Sequence, residues 1–316
     1  WPELRRQVAA LALHLQAQGI RPGDRVAAYL PNIPQAMVAM LAVVSIGAVW
    51  SVCSPDMGTA AVLDRFEQIA PKALIAVDGV YYAGKPMDRS SIVQELRARL
   101  PSLQHCIVLS TRWAQAPVQG AADWNTLMQR DDAQLHSFTP LWLPFDHPLW
   151  IVYSSGTTGL PKPIVHGHGG IMLVALTMKA LHSDVGCSYA PESWGERFHW
   201  YSSTGWVMWN DWGVLWRFAA RHAVTSFGAG AAFYANCMKA GIELSQCGDL
   251  SRITSLGSTG SPLSPDVQHW GMQQFAALGT PDIWWNNISG GTDFCGAFIG
   301  GNRELPQYPG EMQCRM

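Results

Sequence analysis

Charged residues are scarce in this sequence, and so are paired cysteines. They make up 14% of the 316 residues, and Lys plus Arg nearly balance Asp plus Glu, which leaves a net charge of −2. So small a net charge gives no overall field to attract nucleic acid or an acidic membrane, and we expect neither as a partner. None of the seven cysteines forms a C-x-x-C pair, and an odd, scattered set argues against a disulfide framework. A reducing, cytoplasmic setting is therefore expected.

The common phosphate-binding loop, G-x-x-x-x-G-K-[ST], is also absent. The stretch YSSGTTGLPKP nevertheless packs glycines, hydroxyls and one lysine into a short segment behind an apolar run. Its Gly156 and Gly159 are too close together for the common loop, and Pro163 rather than Ser or Thr follows Lys162. Backbone N–H groups freed by glycine, hydroxyls and a cation still suit phosphate oxygens, so we predict a phosphate loop of another kind. A tight surface turn is the plainer alternative.

The chain otherwise alternates apolar strands with amphipathic helices. That rhythm predicts an α/β fold of parallel-rich sheets layered with helices, in two approximate lobes, 1–140 and 141–316, joined by an irregular connection over 113–144. The stretch from Ala36 to Cys53 carries no charge and is just long enough to span a bilayer. Because Gly47 divides it, we predict instead a buried helix over 35–46 and a buried strand over 48–53.

Several strands of the second part end in short turns rich in glycine and hydroxyl groups. Ligands of open α/β sheets bind outside the carboxyl ends of the strands. The turns at Gly156, Gly205, Gly257 and Gly290 are therefore expected to ring one crevice.

Three motifs in order resemble one known family. YSSGTTGLPK, GSTGSPLS from Gly257 and ISGGTD from Ile288 are similar to the signature motifs of the adenylate-forming enzymes, which include acyl-CoA synthetases, peptide-synthetase adenylation domains and luciferases. The resemblance covers nearly the whole chain and implies that residues 1–316 form the large N-terminal, AMP-binding domain of such an enzyme. The family's small C-terminal lid domain, with its catalytic lysine, would lie outside this chain. The chain would then bind ATP without completing thioester formation alone.

One branch of the family resembles the chain more specifically. PKPIVHGHGG, FHWYSSTGWVMWN, ISGGTDFCGAFIGGN and LPQYPGEMQCR look like the acetoacetyl-CoA synthetases, and Pro163 and Ser289, which depart from most of the family, agree with that branch. The resemblance implies that acetoacetate attacks the α-phosphate of ATP and that coenzyme A then displaces AMP. Two alternatives stay open: a ligase for another short acid such as propionate or butyrate, and a nucleotide-binding module without ligase activity.

The resemblance also assigns roles to residues. The β- and γ-phosphates of ATP would be held by Ser154, Ser155, Gly156, Thr157, Thr158, Gly159 and Lys162. The nucleotide would contact Gly260, Ser261, Pro262, Ser289, Gly290, Gly291 and Thr292. The acyl pocket would be lined by Trp206, Val207, Met208, Thr259 and Gly290. Thr158, Lys162 and Thr292 would act in catalysis, and Asp293 would bind Mg²⁺, with a helix cap as its structural alternative.

Two positions in the third motif carry further expectations. Relatives place an aromatic residue at Ser289 to stack on adenine, and Trp284 or Trp285 would have to compensate here. Acetyl-CoA synthetases, which the chain also resembles, place a tryptophan at Gly290. Glycine would leave that volume open for acetoacetate, with a hydrogen-bond donor for its 3-oxo group at Ser258 or Thr259.

Two more expectations concern single positions. His166 and His168 lack the spacing and partners of a metal site and are interpreted as structural. Relatives have about one more helix and strand between Asn210 and Asp211, so we expect a break in the chain there.

Overall fold

The structure, a computed structural model, describes residues 1–82, 84–154, 159–186, 195–201 and 213–316. Over these ranges the chain forms two compact units, the first covering Trp1–Ile171 and the second beginning at Met172. The division falls later than the approximate boundary at residue 140 because the segment 148–167 pairs with the first sheet, where Trp150 is the register partner of Trp50. The expected break between Asn210 and Asp211 lies outside the described residues.

The first unit is built on one large sheet. Its elements, in chain order, are α1 (Pro2–Ala17), β1 (Arg25–Tyr29), α2 (Pro34–Ser45), β2 (Val49–Cys53), α3 (Thr59–Ile69), β3 (Ala73–Val77), β4 (Gly79–Tyr82), β5 (Lys85–Asp88), α4 (Ser90–Arg99), β6 (His105–Leu109), β7 (Ala122–Asp123), α5 (Trp124–Met128), α6 (Ala133–Ser137), β8 (Pro148–Ser154), β9 (Lys162–Gly167) and the beginning of α7 (His168–His182). Seven strands join in the order β7-β6-β3-β1-β2-β8-β9, and β4 and β5 form a separate hairpin. Every pairing in the seven-stranded sheet is parallel except β8 with β9.

Strand alternation distributes the core of this unit over both faces of the sheet. Val26 and Ala28 of β1 pack with side chains of α1 and α2, such as Leu11. Ala27 and Tyr29 point to the other face, where they join side chains of α3 and α4. A parallel sheet covered on both faces explains why its strands read as continuous apolar runs.

The uncharged stretch of the sequence divides as predicted. It forms α2 and β2, and Gly47 between them has a φ of +72°, a conformation that glycine adopts readily. No helix in the described ranges is both long enough and apolar enough to cross a membrane.

The connection expected to be irregular over 113–144 is not so throughout, and that expectation was wrong. Asp123 accepts a hydrogen bond from the Thr126 N–H (2.8 Å), and Asp132 accepts one from the Leu135 N–H (3.0 Å). These N-caps begin the five-residue helices α5 and α6, which lie against α1. The hairpin β4–β5 was also missed, because each of its strands is only four residues long.

The second unit holds two smaller sheets. After α7 its elements are β10 (Phe198–Trp200), α8 (Gly213–Arg221), β11 (Ser226–Gly230), α9 (Ala231–Lys239), a 3₁₀ turn (Leu244–Gln246), β12 (Ser255–Thr259), α10 (Pro265–Ala277), β13 (Trp284–Asn287), β14 (Ser289–Gly291), β15 (Gly296–Gly300) and β16 (Cys314–Arg315). Strands β10 to β13 form a parallel sheet in chain order, and β14 to β16 form an antiparallel one. Fully buried Trp216 of α8 stacks on Phe227 of β11 at 4.5 Å, which ties the helices to the sheet.

Candidate functional site

The predicted phosphate loop connects two antiparallel strands of the first unit. Ser154 is the last residue of β8, Lys162 is the first residue of β9, and the two are direct register partners. Their side chains therefore leave the same face of the sheet. Strand β9 was not predicted, because Pro161 and Pro163 are typical of a turn and not of a strand. The sheet tolerates Pro163 because β9 is an edge strand.

Side chains from β2 and α3 fix both ends of this loop. The Ser51 hydroxyl donates to the carbonyl of Ile151 (2.9 Å) in β8, and the Tyr153 hydroxyl donates to the carbonyl of Arg65 (3.1 Å). Burial raises the pKa of Tyr153 to about 12, so its hydroxyl remains a donor at neutral pH. On the far side, Gln68 donates to the carbonyl of Pro161 (2.8 Å). The frame of the loop is thus held by packed elements.

Three of the seven proposed phosphate-binding residues can be located. Ser154 and Lys162 flank the loop, and Gly159 has a φ of +144°, which favours glycine. Lys162 is exposed, and no ion pair or hydrogen bond occupies its ammonium group within the described residues. The other four positions, 155–158, lie outside the described residues, and so do Trp206, Val207 and Met208 of the expected acyl pocket.

The second unit brings the two nucleotide motifs to one edge of its parallel sheet. Ser258 and Asn287 are register partners near the carboxyl ends of β12 and β13, and the Ile288 N–H donates to the carbonyl of Ser258 (2.8 Å). The turn Gly260–Ser261–Pro262 therefore leaves the sheet beside the segment that begins at Ser289. Gly260 has a φ of +87°, so this turn needs glycine.

The segment after β13 is a hairpin, where a turn alone was expected. Ser289–Gly291 pairs as β14 with β15, and the connecting turn is closed by the Cys295 N–H, which donates to the carbonyl of Thr292 (3.3 Å). Thr292 and Asp293 are exposed at its tip. Asp293 is thus followed by a turn and a strand, which removes the helix-cap alternative. Its place at an exposed hairpin tip leaves the carboxylate accessible.

Two of the glycines expected in crevice-lining turns lie inside strands instead. A Cβ at Gly257 would come within 2.7 Å of the Trp200 indole, which lies across β12. A Cβ at Gly290 would lie 2.8 Å from the Cα of Ala297 and still closer to the carbonyl oxygen of Gly296. The expectation that Gly290 leaves an open volume was therefore wrong, because the backbone of β15 fills that side. Gly156 and Gly205 are outside the described residues.

Neither tryptophan proposed to replace the missing adenine stack is exposed. Trp285 is 1% accessible and packs edge-on against Tyr234 at 5.0 Å. Trp284 is 6% accessible and lies under the guanidinium of Arg303 at 5.1 Å. Both belong to the packing of β13, and compensation by either one is not supported.

Sequence reasoning overlooked two buried asparagines, although consecutive Asn residues inside a strand were a visible signal. Asn286 accepts from the Gly301 N–H (2.8 Å) and donates to the carbonyl of His182 (2.6 Å). Asn287 donates to the Oε1 of Gln268 (3.2 Å), while its Oδ1 is buried without a hydrogen-bond partner among the described residues. The buried hydroxyl of Ser258 likewise has no partner there. Buried polar atoms are nearly always paired, so two orphans on register partners indicate a missing partner.

The remaining predicted positions are simpler to place. Thr259 is the half-buried last residue of β12. In the first unit His166 accepts a hydrogen bond from the indole N–H of Trp150 (2.9 Å), and His168 is packed 5.8 Å from His147. Both histidines take part in local packing.

The first motif thus connects two paired strands of the first unit, and the other two motifs lie at one edge of the parallel sheet of the second unit. The AMP-binding enzyme family matches residues 1–285, and the chain belongs to that family. The chain is 38% identical to the acetoacetyl-coenzyme A synthetase of Rhizobium meliloti and 34% identical to the acetoacetyl-CoA synthetase of Xenopus tropicalis, with 99% of its residues covered in both cases. The acetoacetyl-CoA synthetase from Streptomyces lividans is a similar solved structure, with a TM-score of 0.89, 46% identity and coverage of the whole chain.

These comparisons cover only part of each relative. It covers 50% of the Rhizobium protein, 49% of the Xenopus protein and 50% of the Streptomyces chain. The chain thus spans about half the length of the relatives it matches. The alignment with the Rhizobium protein extends over 337 positions, more than the 316 residues present. The Rhizobium protein therefore contains internal residues that have no counterpart here.

Proposed function

We propose that the protein is an AMP-forming acid–CoA ligase whose substrate is acetoacetate. ATP and acetoacetate would give acetoacetyl-adenylate and pyrophosphate, and the thiol of coenzyme A would then displace AMP. The observation that carries the proposal is the match of 99% of the chain to acetoacetyl-CoA synthetases from a bacterium and a vertebrate. We place this reaction in the cytoplasm, where the scattered cysteines remain reduced.

The first half-reaction develops charge on the departing pyrophosphate. In our proposal Ser154 and Lys162, at the two ends of the β8–β9 connection, direct a hydroxyl and an ammonium group to the β- and γ-phosphates, together with Ser155, Gly156, Thr157, Thr158 and Gly159. A cation already in place as negative charge develops stabilises the transition state without reorganising. The support is the rigid frame around Lys162 and the absence of any competing partner for it in the described residues.

Asp293 is the residue that we propose to hold Mg²⁺. Among the described residues no three His, Cys, Asp or Glu side chains gather as a metal site. A single exposed carboxylate is still suitable, because Mg²⁺ is usually held by one or two carboxylates together with substrate phosphates and water. The ion would neutralise phosphate charge during adenylation. Thr292, the preceding residue of the hairpin tip, would contact the α-phosphate.

The orphaned atom of Asn287 suggests how adenine is recognised without an aromatic residue at Ser289. Gly260, Ser261 and Pro262 would line the base from one side, with Ser289, Gly290 and Gly291 on the neighbouring hairpin. Asn287 Oδ1, at the end of β13 between these segments, lacks a hydrogen-bond donor, and the exocyclic amino group of adenine would supply one. Guanine carries a carbonyl oxygen at that position and would be repelled.

ATP–pyrophosphate exchange on the full-length protein tests the phosphate assignments. Lys162→Ala should lower exchange by about 100-fold or more, the range seen when one charge-stabilising donor is removed. Asp293→Asn should raise the Mg²⁺ concentration needed for half-maximal exchange. Asp64→Asn, an exposed carboxylate of α3, is the matched control. Normal exchange in both Lys162→Ala and Asp293→Asn would refute the assignments.

A further inference from the structure

A cleft of about 530 Å³ opens in the first unit, away from the motifs described above. We call it the α1–α4 cleft. It is bounded by α1, by α4, by the start of β6 and by the segment leading into β7. Its polar lining residues are His14, Gln18, Gln94, Arg97, Gln104 and His105. These two histidines, three glutamines and one arginine share the lining with six apolar or glycine residues, and no carboxylate is among the twelve.

The hydrogen-bonding groups of the cleft are largely unused. Within the described residues the side chains of His14, Gln104 and His105 form no hydrogen bond. Arg97 donates from Nη2 to the carbonyl of Gly120 (3.2 Å) and from Nη1 to the carbonyl of Gln119, which holds the wall of the cleft in place. The cleft is thus a preformed concavity with several free donors.

Two basic neighbours act on His14, and one of them, Arg130, is itself paired with Asp132. Burial lowers the pKa of His14, and His105 from β6 and Arg130 from the segment after α5 lower it further. Arg97 faces the same space from α4. A bound anion would reverse this balance, because a negative charge within about 4–6 Å favours the protonated imidazole.

The α1–α4 cleft is separate from the phosphate loop of the same sheet. Strands β3, β1 and β2 lie between β6 and β8, so the two strands are four spacings of about 4.8 Å, or about 19 Å, apart. The cleft also includes the amino end of β6, at His105, whereas the phosphate loop follows the carboxyl end of β8 at Ser154. Because the intervening strands are parallel, the amino end of β6 and the carboxyl end of β8 lie at opposite ends of the strands of this sheet.

We propose that the α1–α4 cleft binds a small multivalent oxyanion of the phosphate class, held by His14, His105 and Gln104 beside Arg97. A free phosphate and the phosphate group of a small metabolite share this chemistry. The cleft is too distant for its ligand to touch the reacting groups at the phosphate loop, so the ligand is an effector or a stabilising ion and not a substrate.

Equilibrium dialysis of radiolabelled inorganic phosphate against the full-length protein tests this proposal. Lys162→Ala is introduced throughout to silence the phosphate loop, and chloride keeps the ionic strength constant. In that background Gln104→Glu, which places a carboxylate in the cleft, should weaken phosphate binding by about tenfold or more. His105→Gln should weaken it as well. Gln273→Glu adds the same charge at an exposed position of α10 in the other unit and should change the affinity less than twofold.

Three results would overturn the proposal. The first is the absence of saturable phosphate binding in the Lys162→Ala background. The second is an equal loss of binding in Gln104→Glu and Gln273→Glu. The third is unchanged binding in both Gln104→Glu and His105→Gln. Gln104 is exposed, so its substitution should leave the fold intact, which circular dichroism checks. Dialysis of simple phosphate esters then distinguishes free phosphate from a phosphorylated metabolite.

Discussion

Replacing Gly290 by alanine should disable activation of every acid to the same degree. The new Cβ would lie 2.8 Å from the Cα of Ala297, whereas non-bonded carbon atoms rest about 3.5–4.0 Å apart. Strand β15 would have to move by about 1 Å, and the obstacle is backbone, which cannot rotate away. Forced overpacking of this kind costs about 1–3 kcal/mol. At about 1.4 kcal/mol per factor of ten, the equilibrium ratio of intact to displaced β14–β15 hairpin falls by about 5- to 150-fold.

The assay is ATP–pyrophosphate exchange with acetoacetate and with acetate, on the full-length protein and on the variant. Both exchange rates should fall together, by at most that factor, because the proposed phosphate and Mg²⁺ contacts Thr292 and Asp293 lie on this hairpin and would serve any acid. Gly170→Ala is the matched control, since a Cβ there meets no atom within 4 Å and its φ is ordinary. Gly290→Trp, with a larger side chain, should also fail with both acids. If Gly290→Trp kept its activity and changed its preference from acetoacetate to acetate, position 290 would face an open acyl pocket and our reasoning would be refuted.

Two other substitutions give independent checks. Asn287→Leu should reduce the preference for ATP over GTP in pyrophosphate exchange by about tenfold, whereas Asn287→Asp, which keeps an acceptor oxygen, should retain it; equal preference in the two variants would contradict the adenine assignment. Burial alone would raise the pKa of Asp24, but Lys72, 2.7 Å away, and the Arg21 N–H hold that pKa below its ordinary value. The ionised Asp24 carboxylate therefore stabilises the fold at pH values above its ordinary pKa, and this stabilisation disappears as the pH falls through the lowered pKa of the folded state. Asp24→Asn should cost about 1–3 kcal/mol in the free energy of unfolding at pH 7 and nothing in strong acid, as urea titrations would measure; a loss of equal size at both pH values would contradict this.

The sequence predicted the parts of the fold in which local pattern and burial agree. The uncharged stretch from Ala36 to Cys53 divides at Gly47 into a helix and a strand as predicted, because an apolar run on either side of a glycine leaves few alternatives in a parallel sheet. Strand β9 could not be predicted from pattern, because Pro161 and Pro163 signal a turn and only the pairing of β9 with β8 overrides them.

The candidate site was predicted in its motifs but not in its geometry. Gly257 and Gly290 were interpreted as turn glycines. The sequence alone does not distinguish a glycine needed for a turn from one needed because another chain segment packs against its Cα. Gly257 is required by close approach of Trp200, which is distant in the sequence. Gly290 is required by close approach of β15, a strand that the local pattern does not predict. Asn287 was overlooked because the significance of a buried amide depends on which of its atoms lacks a partner, and this is a property of the packed structure.

The most direct test of the central proposal is a competition for coenzyme A. The full-length protein is given ATP, Mg²⁺, coenzyme A and equal concentrations of acetate, propionate, butyrate and acetoacetate, and the thioesters and nucleotides are quantified by mass spectrometry. We predict that acetoacetyl-CoA is the main thioester, formed in equal amounts with AMP. A different acyl-CoA as the main product, or ADP in place of AMP, would contradict the proposal.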